Sequence, residues 1–241
     1  DLNRSFPGSA KGSLAARLAH IFLNEVVARC DVGIDLHSGA IHRANLPQIR
    51  ISSFDPQIMM LAKAFGPPVI KTSKIREGTL RDSAIAMNVK TLLFEASEGL
   101  RFDEYSVRVG TTGILRVMQH MNMLPKATVA VSKIAPMESD SSFWVRANAA
   151  GMLRTYKALG VTVEAGQVLG CISDAMGQVE DEIIAPEAGL IVGRLNLPIV
   201  NEGDAMFHIA RINSDVEDKE EINDLDTQVT TYPSLGEEQI I

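Results

Sequence analysis

The sequence predicts an α/β fold: a mostly parallel or mixed sheet with helices on both faces, followed by a small all-β domain. Three observations predict it. Helical periodicity alternates with short apolar runs through the first half of the chain. Near Pro136 the pattern changes to short β-type runs punctuated by glycine. The last residues are acidic and hold few large apolar side chains.

Residues 13–30 carry Leu14, Leu18, Ile21, Phe22 and Val26 at helical spacing, with Arg17, Asn24 and Glu25 toward water. Residues 31–36 read as a short strand. Residues 56–65 read as a helix stopped by Gly66-Pro67-Pro68. Residues 69–72 read as a strand and 79–87 as a short helix. Residues 89–94 form a continuous apolar strand signal ending at Glu95. Residues 105–123 read as a long amphipathic helix with Val109, Leu115, Val117, Met118 and Met121 toward the core. Strands alternating with helices imply a sheet covered on both faces.

From Phe143 to Ile212 the runs at 160–166, 168–172 and 189–193 are bounded by turn signals every ~8–12 residues, as in a small all-β unit. The expected organisation is an α/β part at 1–136, a β-rich part at 137–213 and a disordered acidic tail at 214–241.

Composition removes several function classes. The net charge is −7, but the tail from Ser214 holds nine acids against Lys219 alone. The rest of the chain is close to neutral and has no basic stripe, which argues against nucleic-acid binding. No run of 18 apolar residues exists, so no membrane-spanning helix is expected. Cys30 and Cys171 are far apart and fit a reduced, cytoplasmic setting. A homo-oligomer is compatible with the sequence. There is no Gly-x-Ser-x-Gly elbow and no nucleotide-binding glycine pattern.

Three places can carry chemistry. In open α/β sheets ligands bind outside the carboxyl ends of the strands. His37, in Asp35-Leu36-His37-Ser38-Gly39, lies at such an end, where it can ligate a metal or serve as a hydrogen-bonded structural residue. Asp35 shares its strand face and can orient the ring. Glu95 follows Leu92-Leu93-Phe94, where a carboxylate is costly without a partner or a use. It reads as a general base or as a salt-bridged acid, and Glu98 is a near competitor already in the turn. Asn3 and Arg4 form a pair suited to gripping a carboxylate, a task for which arginine's planar fork is made. Arg43, Asn45 and Arg81 are further polar candidates near the same strand ends.

Together Asp1-Leu2-Asn3-Arg4 with Phe6-Pro7-Gly8, then Asp35-Leu36-His37-Ser38-Gly39, then Phe94-Glu95-Ala96, resemble the succinylglutamate desuccinylase/aspartoacylase family of zinc-carboxypeptidase-like hydrolases. The resemblance spans about residues 1–212. It implies one zinc ion with His37 as a ligand, Glu95 as general base, and Asn3 and Arg4 on the substrate carboxylate. Arg81 is implied to reach the substrate. Arg43 and Asn45, with Pro47, fit a subgroup with a similar loop after the histidine.

The implied activity is hydrolysis of an N-acyl amino acid or similar small amide. The alternatives are a metallocarboxypeptidase-like peptidase, or a non-catalytic binding subunit if Asp1 is a genuine start. The family's His-x-x-Glu ligand pair does not occur here. The expectation is therefore an N-terminally truncated chain that binds zinc weakly and is inactive alone. The resemblance also implies that the β-rich part is related to biotinyl/lipoyl carrier domains. Gly177 stands at the carrier-lysine position, so a structural or pocket-shaping role is expected.

Overall fold

The computed structural model describes residues 1–212, except 53–54, 127, 133–134 and 178–179 and the side chain of Glu180. The acidic tail expected to be disordered lies outside the described residues.

The first half follows the alternation of patterns: α1 (Leu14–Glu25), β1 (Val32–Ser38), β2 (Arg43–Ile51), α2 (Pro56–Phe65), β3 (Val69–Thr72), α3 (Leu80–Ala86), β4 (Lys90–Ser97) and α4 (Glu104–His120). Local chemistry explains the helix ends. The Asp55 carboxylate caps α2 by accepting from the Gln57 N–H, Pro56 opens the helix, and Gly66 closes it at φ 72°. The Thr79 hydroxyl caps α3 by accepting from the Asp82 N–H.

The sheet is mixed. β1 runs parallel to β4, and β4 antiparallel to β2. β2 is parallel to β3, which is parallel to β5 (Met137–Ser139). β2 has no counterpart in the expected elements. Pro47 cannot donate to a ladder, and the register shifts between Asn45 and Gln48 around it. Beyond that shift Ile49 and Ile51 are fully buried, while Gln48 and Arg50 face the opposite way.

On one face of the sheet Ile49, Ile51, Ile70, Leu92 and Phe94 pack against Ile58, Leu61 and Phe65 of α2 and Val117 of α4. Ile114 joins this cluster from α4, where Leu115 and Met118 are expected. α1 and α3 form a second cluster in which Ala19, Leu23 and Ala84 pack with Phe6, Val27 and Val89. The apolar stripe of α1 is a correction. Ala19 and Leu23 are buried, whereas Leu14, Leu18, Ile21, Phe22 and Val26 are exposed. The helix presents Ala19 and Leu23 to α3, and Leu18 and Phe22 line a cavity beside Asp35 and His37 of β1. Among the described residues β1 pairs with β4 alone.

After β5 the described residues form strands and no helix: β6 (Ser141–Arg146), β7 (Gly151–Thr155), β8 (Thr162–Val163), β9 (Val168–Ser173), β10 (Glu180–Ile184), β11 (Gly189–Leu195), β12 (Ile199–Val200) and β13 (Ala205–Arg211). β10, β9, β7 and β12 make an antiparallel sheet of their own. β11, β13 and β6 extend the main sheet, because β11 pairs antiparallel with β2 through Gly193 and Asn45. The β-rich half is therefore hydrogen-bonded to the strand that carries Asn45 and Arg50. Leu169, Ile172, Ile191, Met206, Phe207 and Ile209 form its core.

One packing contact gives a direct test. A Cβ at Gly113 of α4 would lie 2.2 Å from the buried Phe65 ring. Alanine gains about 1 kcal/mol in helix propensity over glycine, but forcing atoms into a packed core costs ~1–3 kcal/mol. Gly113→Ala should lower the urea midpoint. A midpoint at or above wild type contradicts this packing.

Candidate active site

Pairing register brings the site together. In the parallel ladder of β1 and β4, His37 stands opposite Glu95. In the antiparallel ladder of β4 and β2, Glu95 stands opposite Gln48. Ile34 packs toward α2 and α4, so Asp35 and His37 lie on alternating faces from it and Asp35 shares the face of His37. Both strands then stop. The turn after His37 requires glycine, since a Cβ at Gly39 would sit 2.3 Å from the Arg43 carbonyl oxygen and 2.7 Å from that of Ser97. Ser97 itself adopts a left-handed φ of 61°.

His37 is oriented by Asp35, with Asn3 beside the same ring nitrogen. Its Nε2 lies 3.0 Å from Asp35 Oδ2 and 3.4 Å from Asn3 Nδ2. Asn3 is fixed in turn, because its Oδ1 accepts from the Leu80 N–H at 2.9 Å. The hydrogen bond to Asp35 raises the His37 pKa against the opposing effect of burial. A carboxylate on one ring nitrogen fixes the tautomer and leaves the other, Nδ1, as a lone pair. This donor arrangement fits one ligand of a metal ion. Among the described residues no three His, Cys, Asp or Glu side chains gather as a metal-binding set.

Glu95 is held at both oxygens. Asn45 Nδ2 donates to Oε1 at 2.8 Å, and Arg50 Nη1 contacts Oε2 at 2.7 Å. Its side chain remains 15% exposed. Arg50 is absent from the sequence candidates. The usable signal is the alternation of Gln48 and Arg50 with Ile49 and Ile51, which Pro47 obscures.

The other candidates divide. Asn45 joins the site through Glu95, and Asn3 through His37. Arg4 is exposed at its margin, with Nη1 donating to the Asn3 carbonyl. Arg81 is buried beneath the site, donating to the Arg50 carbonyl at 3.2 Å and to Ser73 Oγ at 3.3 Å. Arg43 turns to the β-rich half, where its guanidinium lies 5.4 Å above the Trp144 ring.

Glu98 accepts from the His42 N–H at 3.0 Å and from Asn196 Nδ2 at 2.8 Å. It ties the turn after β4 to the loop after β1 and to the β-rich half. An apolar cavity of about 300 Å³ opens beside His37, lined by Leu2, Phe6, Leu18, Phe22 and Leu80 with Asn3 and Asp35.

A family model, the succinylglutamate desuccinylase/aspartoacylase catalytic domain, matches residues 1–121, which is half of the chain. The chain belongs to this family. Its candidate site residues, from Asn3 to Glu98, fall within the matched segment. An N-alpha-acetyl-L-2,4-diaminobutyric acid deacetylase of Halomonas elongata is 29% identical over 225 residues, covering 88% of this chain and 65% of the relative. The chain thus spans just under two thirds of that relative's length.

The mixed sheet and its helices recur in solved structures. A succinylglutamate desuccinylase/aspartoacylase from Rhodobacter sphaeroides matches with a TM-score of 0.77 and 21% identity, over 88% of this chain and 67% of the other. The apo ectoine utilization protein EutE (DoeB) from Ruegeria pomeroyi matches with a TM-score of 0.78 and 21% identity, over 88% and 70%.

The Glu98 contacts carry a pH test. The hydrogen bond from Asn196, with those from the His42 N–H and the charge of Arg101, holds the Glu98 pKa below its ordinary 4.5. A depressed folded-state pKa contributes stability that is present above the unfolded value and lost as pH falls through the folded one. Below about pH 4.5 the wild type should lose stability that Glu98→Gln lacks from the outset, so the two unfolding curves should converge on acidification. A gap between them that is constant from pH 7 to pH 3 contradicts the clamp.

Proposed function

We propose that this chain carries the catalytic carboxylate and one metal ligand of a zinc-dependent hydrolase that cleaves the amide bond of an N-acyl amino acid. The observation that carries the reading is Glu95, tethered at both oxygens and one strand away from His37. A carboxylate so fixed is prepared to take a proton without first reorganising.

His37 would hold the metal through Nδ1, with Asp35 on Nε2 as the orienting partner. The remaining ligands come from outside the residues described. When bound, zinc supplies Lewis-acid polarisation of the amide carbonyl and acidifies water. Glu95 takes the proton of the attacking water as the new C–O bond forms. It then delivers that proton to the amine nitrogen as the C–N bond breaks.

Arg4 is the group that meets the substrate carboxylate, since its guanidinium is exposed and its bond to the Asn3 carbonyl leaves donors free. Asn3 acts by holding that loop against the Leu80 N–H. Arg43 and the strands between residues 137 and 211 shape the outer wall of the pocket in this reading, a role that needs no carrier lysine. Support for amide chemistry comes from the family itself and from the deacetylase named above.

The test is Glu95→Gln in the complete gene product, assayed on a panel of N-acyl amino acids with metal content measured in parallel. Loss of a general base costs ~10²–10⁴-fold in turnover. Turnover down by that order with zinc content unchanged supports the role, and near-normal turnover overturns it.

A further inference from the structure

A second cavity, of about 580 Å³, opens between the C-terminal ends of α2 and α4 and the residues that lead to β5. None of the candidate active-site residues lines it. Its charged lining is cationic: Lys63, Arg116, Lys126 and, when protonated, His120, with no acid among the described residues. Lys63 is answered by Glu138 at 2.7 Å. Arg116 and Lys126 have no carboxylate within 4.0 Å among the described residues.

Arg116 is held in place by its surroundings. It is only 8% exposed. Its Nε donates to the Ala130 carbonyl at 2.8 Å. Gln119, one turn further on, accepts from the Val129 N–H at 2.9 Å and donates to the Val129 carbonyl at 3.3 Å. Gly66 leaves room for the guanidinium, since a Cβ there would lie 2.8 Å from Nη1. The Nη groups have no hydrogen-bond partner among the described residues and are not sealed in the core. They are left for whatever enters the cavity.

A buried guanidinium without an acid is costly, and a methionine would cover the same surface without a charge. The cost is offset when a carboxylate arrives, because arginine's planar fork donates two parallel hydrogen bonds to it. The chain itself brings carboxylates to this place. Ile212 packs on the same small core as Met137, and Pro136 before it lines the cavity. Residues 215–221 then hold Asp215, Glu217, Asp218, Glu220 and Glu221 against Lys219 alone. An extended chain spans up to ~3.5 Å per residue, which puts these acids within about 10–30 Å of chain from Ile212. A segment too polar to build a core of its own can be ordered by a charged partner.

We propose that the Arg116 cavity binds the chain's own acidic segment at residues 215–221, with one carboxylate on Arg116 and another beside Lys126. The segment follows β13 of the β-rich half and docks on α2 and α4. It therefore straps the two halves together, in addition to the ladder of β2 and β11. The strap is independent of the hydrolase reading.

The experiment is carbodiimide cross-linking of the full chain, which joins a lysine to a carboxylate that touches it, read by peptide mass spectrometry. Lys126 should be found joined to an acid of residues 215–221. In Arg116→Met, with its fold checked by circular dichroism, that product should fall about tenfold, as loss of one charge-assisted contact implies. No such product, or one unchanged by Arg116→Met, overturns the strap.

If Arg116→Met does not fold, the side-chain nitrogen resonances of Arg116 decide. They should differ between the wild type and a chain in which the five acids at 215–221 are converted to their amides. Coincident resonances are equally fatal. Inorganic phosphate supplies the last arm. Phosphate that moves the Arg116 resonances only in the amide variant supports the strap. Phosphate that moves them equally in both chains makes the cavity a site for free anions and overturns the segment as its occupant.

Discussion

The register between β1 and β4 is the constraint on which the rest depends. It places His37 beside Glu95, and it does so because the other face of β4 is committed to the core. Leu92, Phe94 and Ala96 are buried against α2 and α4. Burial of each large apolar side chain contributes ~1.5–3 kcal/mol. A slip of one residue would exchange the two faces, lose those contacts and drive Glu95 into an apolar layer. The geometry of this candidate site is thus a by-product of apolar packing on the opposite face of the sheet.

Two glutamates three residues apart show how position divides labour. Glu95, still on the strand, is held by Asn45 and Arg50 and stays partly exposed. Glu98, past the left-handed Ser97, closes three loops on one another. The loops it closes begin at the ends of β1 and β4, and Gly39 lets their backbones approach. The β-rich half enters the same arrangement through Asn196 on Glu98 and through His208 on Lys71. Its strands continue the main sheet, so its position is fixed by ladder hydrogen bonds as well as by side chains.

Much of this was legible in the sequence where the signal is local. The bounds of α2 and β3 follow from Pro56, Gly66 and the apolar run at 69–72. His37 and Glu95 stand at strand ends, as the runs before them imply. β2 was not legible, because Pro47 and the alternating polar residues look like a loop until their partners are known. Arg50 was lost with it. Lys71 and His208 are 137 residues apart, and no local pattern announces their contact. The stripe on α1 is helical as read, but periodicity says only which residues share a face, and here that face lies open.

The central claim is that His37 meets a metal through Nδ1 while Asp35 holds Nε2. Nitrogen-15 NMR of the His37 ring during zinc titration tests it most directly. Nδ1 should move to a metal-bound shift while Nε2 stays protonated. A ring unchanged by zinc, or one that binds zinc through Nε2 and releases Asp35, would contradict it.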